Sequence, residues 1–189
     1  VAGSSPFSRW RYAGERGALS AGQKAGFALF VGKARCASCH LVGSKSALFT
    51  DHLYHATGVS QRPHESRYVV ALAPGSSTAL TEVELASFTS GGRADLGRFE
   101  ISMDPADRFG FRTPSLRNVE RTSPYMHDGS LATLEAVIDF YDRGGGDVPN
   151  KSALIAPLHL SAEEKADLVE FLKSLTSPAA DALPRAVRA

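Results

Sequence analysis

The chain has 189 residues, of which 43% are hydrophobic, and its 21 Lys and Arg residues balance 20 Asp and Glu residues. This length suffices for one buried core of ordinary single-domain size, and the balanced charge gives no indication of a nucleic-acid partner. No apolar run approaches the roughly 18 to 20 residues of a membrane span. The first residues lack a charged-then-apolar pattern, so we expect any signal peptide to have been removed or to lie outside this sequence.

The N-terminal part of the chain changes character at residue 20. Residues 1–19 are rich in Ser, Gly and Arg and show no period, which predicts an N-terminal arm or linker remnant. Ser20 and Gln23 then have the spacing of a capping box and precede an apolar run. They predict a helix over about 21–31 that ends at Gly32.

The middle of the chain is predicted to consist mostly of long loops. Between residues 41 and 112, Gly, Ser, Thr and Asp are frequent, and only residues 82–88 are typical of a further short helix. Thr133 has the position of a helix cap, because the apolar residues that follow it recur at helical spacing as far as the glycines at 144–146. That apolar stripe consists of Leu134, Val137, Ile138 and Tyr141.

The C-terminal part predicts one more helix and then a tail. Ser161 and Glu164 form a second capping box, and four apolar residues after them share one helix face: Leu168, Phe171, Leu172 and Leu175. Residues 177–189 contain Pro178 and Pro184, which predict a flexible tail.

Both cysteines of the chain lie in one motif, Cys36-Ala37-Ser38-Cys39-His40. This C-x-x-C-H spacing is typical of c-type haem attachment, because two thiols three positions apart can form thioethers with one haem. The histidine then lies beneath the iron and can bind it. The motif predicts one covalent haem c and a mainly α, cytochrome c-like haem domain with long loops, over residues 20–176.

The motif leaves two other uses of the cysteines open. A redox-active dithiol or disulfide would give His40 no role and would call for a βαβ pattern, which is missing. Zinc is the second alternative, because His52 and His55 follow Cys39 at nearly the spacing of a zinc finger. A finger would leave some 130 residues of the chain without a role.

Several longer strings resemble the C-terminal half of the bacterial dihaem cytochrome c peroxidase and MauG family. The resemblance spans roughly residues 18–176. It is carried by LFTD at 48–51, FRTPSLRNV at 111–119, SPYMHDG at 123–129 and the stretch at 133–145. Members of that family carry two C-x-x-C-H motifs in two related halves, whereas this chain has one.

The resemblance implies a role and a compartment. It likens this chain to the electron-transferring half of those proteins, and the peroxidatic half, with its own haem, is absent. We therefore expect a redox domain that exchanges electrons with a peroxidatic haem domain or chain and with a small redox protein. The alternatives are a peroxidase in its own right and, from another class, a zinc-binding module. Because thioether attachment takes place outside the cytoplasm, the expected location is the periplasm.

The second iron ligand is implied mainly by the same resemblance. Counting forward from the His-Asp-Gly turn places Tyr141 where the peroxidases have methionine and where MauG has tyrosine. Met126 is the runner-up, because thioether ligation is common in cytochromes c. Met103 is a more remote candidate. A phenolate ligand would favour ferric iron and a low potential.

Other polar residues receive weaker predictions. His127 lies in the family's turn near the haem, where a structural hydrogen bond and proton transfer are both open. Arg112 and Arg117 could pair with haem propionates or simply be solvated. The family also implies a calcium ion on the backbone carbonyls of Arg112 and Pro114. The remaining histidines have no neighbours that single them out and are interpreted as surface or loop residues: His52, His55, His64 and His159.

Overall fold

The computed structural model of the chain describes residues 3–59, 68–73, 76–80 and 96–181. In this part of the chain the helices are α1 Pro6–Tyr12, α2 Ala21–Val31, α3 Phe99–Ser102, α4 Leu134–Asp142, α5 Ala162–Lys173 and α6 Pro178–Asp181. Three 3-10 turns lie at Cys36–Ser38, Pro105–Asp107 and Val119–Arg121. The strands are β1 Tyr54–Ala56, β2 Tyr68–Ala73, β3 Ser76–Leu80 and β4 Gly110–Arg112.

Both predicted capping boxes are present, and they start the two helices that organise the domain. The Ser20 hydroxyl accepts the amide of Gln23, whose side chain accepts the amide of Ser20 in return, at the start of α2. Ser161 and Glu164 do the same for α5. The prediction of a helix over 21–31 ending at Gly32 is confirmed.

The helices α2 and α5 pack closely on each other. At Gly26 of α2, a side-chain carbon would overlap the backbone carbonyl of Asp167 on α5 and lie 2.8 Å from Cβ of Phe171. The absence of a side chain at Gly26 therefore allows the crossing. The four apolar residues predicted for one face of the last helix are all buried.

The main core includes a cluster of phenylalanine rings around Phe171. This ring is fully buried and contacts the rings of Phe7, Phe27, Phe30 and Phe49 at centroid distances of 5.0 to 6.5 Å. Offset or edge-to-face arrangements of this kind favour aromatic packing beyond the area they bury.

The N-terminal segment contributes a helix that the sequence analysis missed. Ser5 caps α1, Pro6 occupies its first turn, and Phe7 is buried in the main core. The arm predicted for 1–19 therefore contains a short helix at residues 6–12 that the sequence did not indicate. A seven-residue helix is too short to show a hydrophobic period, and the aromatic contacts that stabilise it come from distant parts of the chain.

Two small antiparallel sheets were also not predicted. β1 pairs with β4, with Tyr54 opposite Arg112 and Ala56 opposite Gly110, and β2 pairs with β3 across a bulge. The described fold is thus helical with two two-stranded antiparallel sheets. The helix predicted at 82–88 lies outside the described residues.

The helix α4 confirms the cap at Thr133, whose hydroxyl accepts the amide of Ala136. Leu134 and Ile138 of its predicted stripe are buried, and Phe140 is buried as well. No helix in the described ranges is long and apolar enough to cross a membrane.

The first residues of the predicted tail are ordered against the domain. Ser177 is fully buried and donates its amide to the side-chain oxygen of Asn118, and Pro178 opens α6. The prediction of a flexible tail from 177 was wrong for residues 177–181, because proline at the first turn of a helix starts it instead of breaking it. Residues 182–189, with Pro184, lie outside the described part.

Candidate functional site

The cysteine motif forms a tight turn directly after α2. Arg35 has a left-handed backbone (φ 52°), a 3-10 turn covers Cys36–Ser38, and the His40 amide donates to the Cys36 carbonyl at 2.9 Å. Both cysteines are free thiols and partly buried. The turn thereby brings two thiols and an imidazole to one place at the end of α2.

The His40 ring is oriented by the backbone of a distant residue. Its Nδ1 lies 2.8 Å from the carbonyl oxygen of Phe49. A carbonyl can only accept, so Nδ1 carries the proton and Nε2 keeps a lone pair for a metal. Burial lowers the pKa of His40, opposed by the Phe49 hydrogen bond, so the ring favours the neutral form that ligates.

Phe49 can hold this carbonyl in place because its own side chain is fixed. Phe49 is buried in the main core and has a left-handed backbone, with φ of 55°. Next to it, the Thr50 hydroxyl donates to the Thr113 carbonyl at 2.7 Å. The acceptor for His40 is therefore set by the core and by a second contact to the 113 region.

The two thiols are held in their protonated form. Burial raises the pKa of Cys36 to about 12, and burial, followed by the charge of Asp51, raises the pKa of Cys39. Redox-active C-x-x-C pairs and zinc thiolates depend on lowered thiol pKa values. The environment of these cysteines therefore opposes the dithiol alternative.

The zinc-finger ligand set does not come together. His52 has a left-handed backbone, and its Nδ1 lies 3.0 Å from Nη2 of Arg112. His55 turns to Asp51 instead, with 2.8 Å between Nε2 and the carboxylate. Within the described ranges, the group whose atoms could share one ion is Cys39, Asp51 and His55, all within 4.8 Å of one another.

This grouping corrects the assignment of His55 to the surface. Its side chain is only 16% exposed, and that of Asp51 only 8%. His55 lies on β1, opposite Phe111 of β4. Spacing along the chain does not indicate the pair, because neither residue stands in a helix and their contact depends on the turn at 51–53.

The pKa of Tyr141 is affected by both cysteines of the turn. Burial raises its pKa to about 12, and Cys36 and Cys39 make smaller contributions in the same direction. Met126 is partly buried with a left-handed backbone, inside a turn closed by hydrogen bonds between Tyr125 and Leu131. Met103 is 69% exposed. Of the three candidates for a second ligand, Tyr141 is therefore the one whose pKa is affected by both thiols.

The other residues singled out from the sequence each have separate contacts. His127 stacks on Phe111, with 3.5 Å between ring centroids and 8° between planes, which supports its structural role. Arg117 donates through Nε to the Ala47 carbonyl at 2.7 Å, and Arg112 lies beside His52. His159 has a left-handed backbone, and His64 is outside the described residues.

The donor set suits a c-type haem. Two protonated thiols at C-x-x-C spacing precede an imidazole whose Nδ1 is bound to a carbonyl and whose Nε2 is available. Tyr141 of helix α4 adds a phenol to this set. The Cys36 thiol makes a weak contact with the Ala34 carbonyl at 3.5 Å.

The fold is that of one half of dihaem peroxidase-like proteins. A MauG-like protein associated with microbial copper homeostasis superposes with a TM-score of 0.69 at 33% identity, over 96% of this chain and 54% of that one. The dihaem peroxidase of Burkholderia thailandensis gives a TM-score of 0.68 at 22% identity, over 98% and 49%. The second likeness concerns the fold alone.

The chain has sequence relatives among cytochrome-c peroxidases and MauG proteins. A cytochrome-c peroxidase of Denitromonas iodatirespirans is 38% identical over 180 residues, which cover 93% of this chain and 45% of that protein. The methylamine utilization protein MauG of Methylorubrum extorquens is 37% identical over 186 residues, or 98% and 43%. The chain is thus related by descent to the cytochrome-c peroxidase and MauG proteins, as the sequence strings indicated. It spans less than half the length of these relatives, and no family model matches it.

Proposed function

We propose that the chain is a periplasmic c-type haem redox domain, comparable to the electron-transferring half of a dihaem peroxidase or MauG-like enzyme. One haem would be attached through Cys36 and Cys39, with Nε2 of His40 as the proximal ligand. The observation that carries this proposal is the cysteine turn with His40 oriented by the Phe49 carbonyl. A bound haem supplies an iron centre that gains and loses one electron reversibly.

The protein's own residues would prepare the proximal side. The Phe49 carbonyl fixes the His40 tautomer and ring orientation and increases the donor strength of Nε2. The buried ring of Phe30 lies 6.5 Å from the imidazole and contributes apolar surroundings. An axial ligand in a fixed orientation changes little between oxidation states, which suits electron transfer.

On the opposite side we propose Tyr141 as the second ligand, with Met126 as the runner-up. Tyr141 keeps its proton in the haem-free chain, because burial raises its pKa to about 12. Binding to iron would therefore have to displace that proton. An anionic phenolate then favours ferric iron and lowers the potential.

The proposed partners rest on the single haem-attachment motif in the chain. It covers 45% of its peroxidase relative and holds one C-x-x-C-H motif, so a peroxidatic haem domain or chain, together with a small redox protein, would complete an electron path. A calcium ion on the Arg112 and Pro114 carbonyls is a further proposal. Metal analysis of the purified protein before and after a chelator tests it.

The ferric absorption spectrum of wild type and of a Tyr141→Phe variant tests this function. We expect a six-coordinate wild type and a changed spin state or new ligand in the variant. Tyr125→Phe serves as the matched control. Tyr125 is also partly buried, but its pKa is raised by burial and by Glu120 and Glu135, and not by the cysteines. Identical spectra for wild type and Tyr141→Phe would exclude Tyr141 as an iron ligand and would make Met126 the next candidate.

A second candidate function is a peroxidase in its own right, and the 38% identity to a cytochrome-c peroxidase favours it. This requires an open or easily vacated second position on the iron. A high-spin ferric spectrum that changes rapidly with hydrogen peroxide would support it. A six-coordinate spectrum indifferent to peroxide contradicts it, and a protein with zinc and no iron would contradict both candidates.

A further inference from the structure

Asp51 and His55 form a nearly buried hydrogen-bonded pair that none of the roles above uses. Oδ2 of Asp51 lies 2.8 Å from Nε2 of His55, and the side chains are 8% and 16% exposed. The other carboxylate oxygen accepts the Leu53 amide at 2.9 Å. His55 is held by the β1–β4 pairing. Both residues of the pair are therefore held in place by the backbone around them.

The pair lies beside Cys39 of the cysteine turn. The Cys39 sulfur, the Asp51 carboxylate and the His55 imidazole lie within 4.8 Å of one another. Asp51 is also two residues after Phe49, whose carbonyl holds His40. A single segment thus orients His40 and places the Asp51 carboxylate beside Cys39.

The two members have opposite electrostatic effects on their surroundings. The Asp51 carboxylate is negative, and Nε2 of His55, 2.8 Å away, directs the positive end of its N–H bond toward it. Charges act over longer range in a partly desolvated site than in water. A carboxylate within 4.8 Å of the Cys39 sulfur is therefore close enough to act on a haem attached there.

We propose that Asp51 and His55 are positioning residues that set the reduction potential of the haem held at Cys39 and His40. The Asp51 carboxylate stabilises the oxidised, more positive iron and lowers the potential. The His55 imidazole counteracts that field and limits the effect. This inference rests on the proposed function, because it requires a haem at the cysteine turn.

The midpoint potential of the purified holoprotein, measured by spectroscopic redox titration, tests the inference. Asp51→Asn keeps the size of the side chain and removes its charge, so we expect a higher potential than in wild type. His55→Gln removes the counteracting imidazole, so we expect a lower potential. Matched controls are Asp147→Asn and His52→Gln, which change exposed residues of the same types and should leave the potential at the wild-type value.

Opposite shifts in the two variants are the signature of an electrostatic role, because a merely structural loosening of the turn would move both potentials in the same direction. Shifts of the same sign, or an Asp51→Asn potential no higher than that of wild type, would overturn the inference. If Asp51→Asn does not fold with haem, the sign of the His55→Gln shift decides alone. A wild-type chain without covalent haem refutes the proposed function itself, which separates the two failures.

Discussion

Replacing Gly26 by alanine tests the packing of α2 on α5. The new methyl carbon would overlap the Asp167 carbonyl and lie 2.8 Å from Cβ of Phe171, whereas ordinary contacts are 3.4 to 4 Å. The two helices must therefore separate by at least about 0.6 Å, from 3.4 minus 2.8 Å, at the Phe171 contact. Phe171 is fully buried, so its side chain has no free space to move into.

The expected cost follows from two opposing effects. Overpacking a core costs about 1–3 kcal/mol, while alanine in a helix interior gains about 0.5–1 kcal/mol over glycine. We expect a net loss of about 1–2 kcal/mol in the free energy of unfolding. With a urea slope of about 2 kcal/mol/M, the middle of the usual range, the unfolding midpoint should fall by roughly 0.5–1 M.

Gly22→Ala is the matched control on the same helix. Its methyl carbon would meet only the end of the Asp167 carboxylate, at 2.8 Å, and that flexible group can rotate away. Urea unfolding followed by circular dichroism should therefore show Gly22→Ala near wild type and Gly26→Ala well below it. Equal midpoints for the two variants would refute the close crossing at Gly26.

Three further predictions concern the same framework. Phe171→Ala empties the centre of the aromatic cluster and should cost about 3–5 kcal/mol in the same urea assay, whereas a loss under 1 kcal/mol would contradict a packed core there. Ser161→Ala removes the cap of α5 and should cost about 1 kcal/mol; an unchanged midpoint would show that the capping box is dispensable. Asp142 bonds Lys165 and the Leu160 amide, and both bonds hold its pKa below the usual 3.8. Its contribution is present above about pH 4 and is lost as the pH falls, so Asp142→Asn should be less stable at neutral pH and less acid-sensitive in thermal melts.

The parts of the fold that the sequence predicted well depend on local signals. Ser20 with Gln23 and Ser161 with Glu164 report helix starts within four residues, and the structure contains both capping boxes. The apolar face of α5 follows from helical spacing alone, since a buried stripe repeats every three to four residues. These features need no knowledge of what packs against them.

The parts that it missed depend on contacts between distant residues. The helix α1 is stabilised by Phe7, which contacts Phe49 and Phe171 far along the chain. The three-residue strand β1 is defined by β4, more than 50 residues away, and is too short to show an alternating pattern. The same holds for the site, because the acceptor for His40 is a backbone carbonyl, and every residue has one.

The intact mass of the protein, measured under denaturing conditions after production in a periplasm that attaches c-type haem, tests the central claim most directly. We expect one covalently bound haem on the wild type and none on a variant with both Cys36→Ala and Cys39→Ala. Retention of a haem mass by that variant, or a wild type that loses its haem on denaturation, would contradict attachment at the cysteine turn.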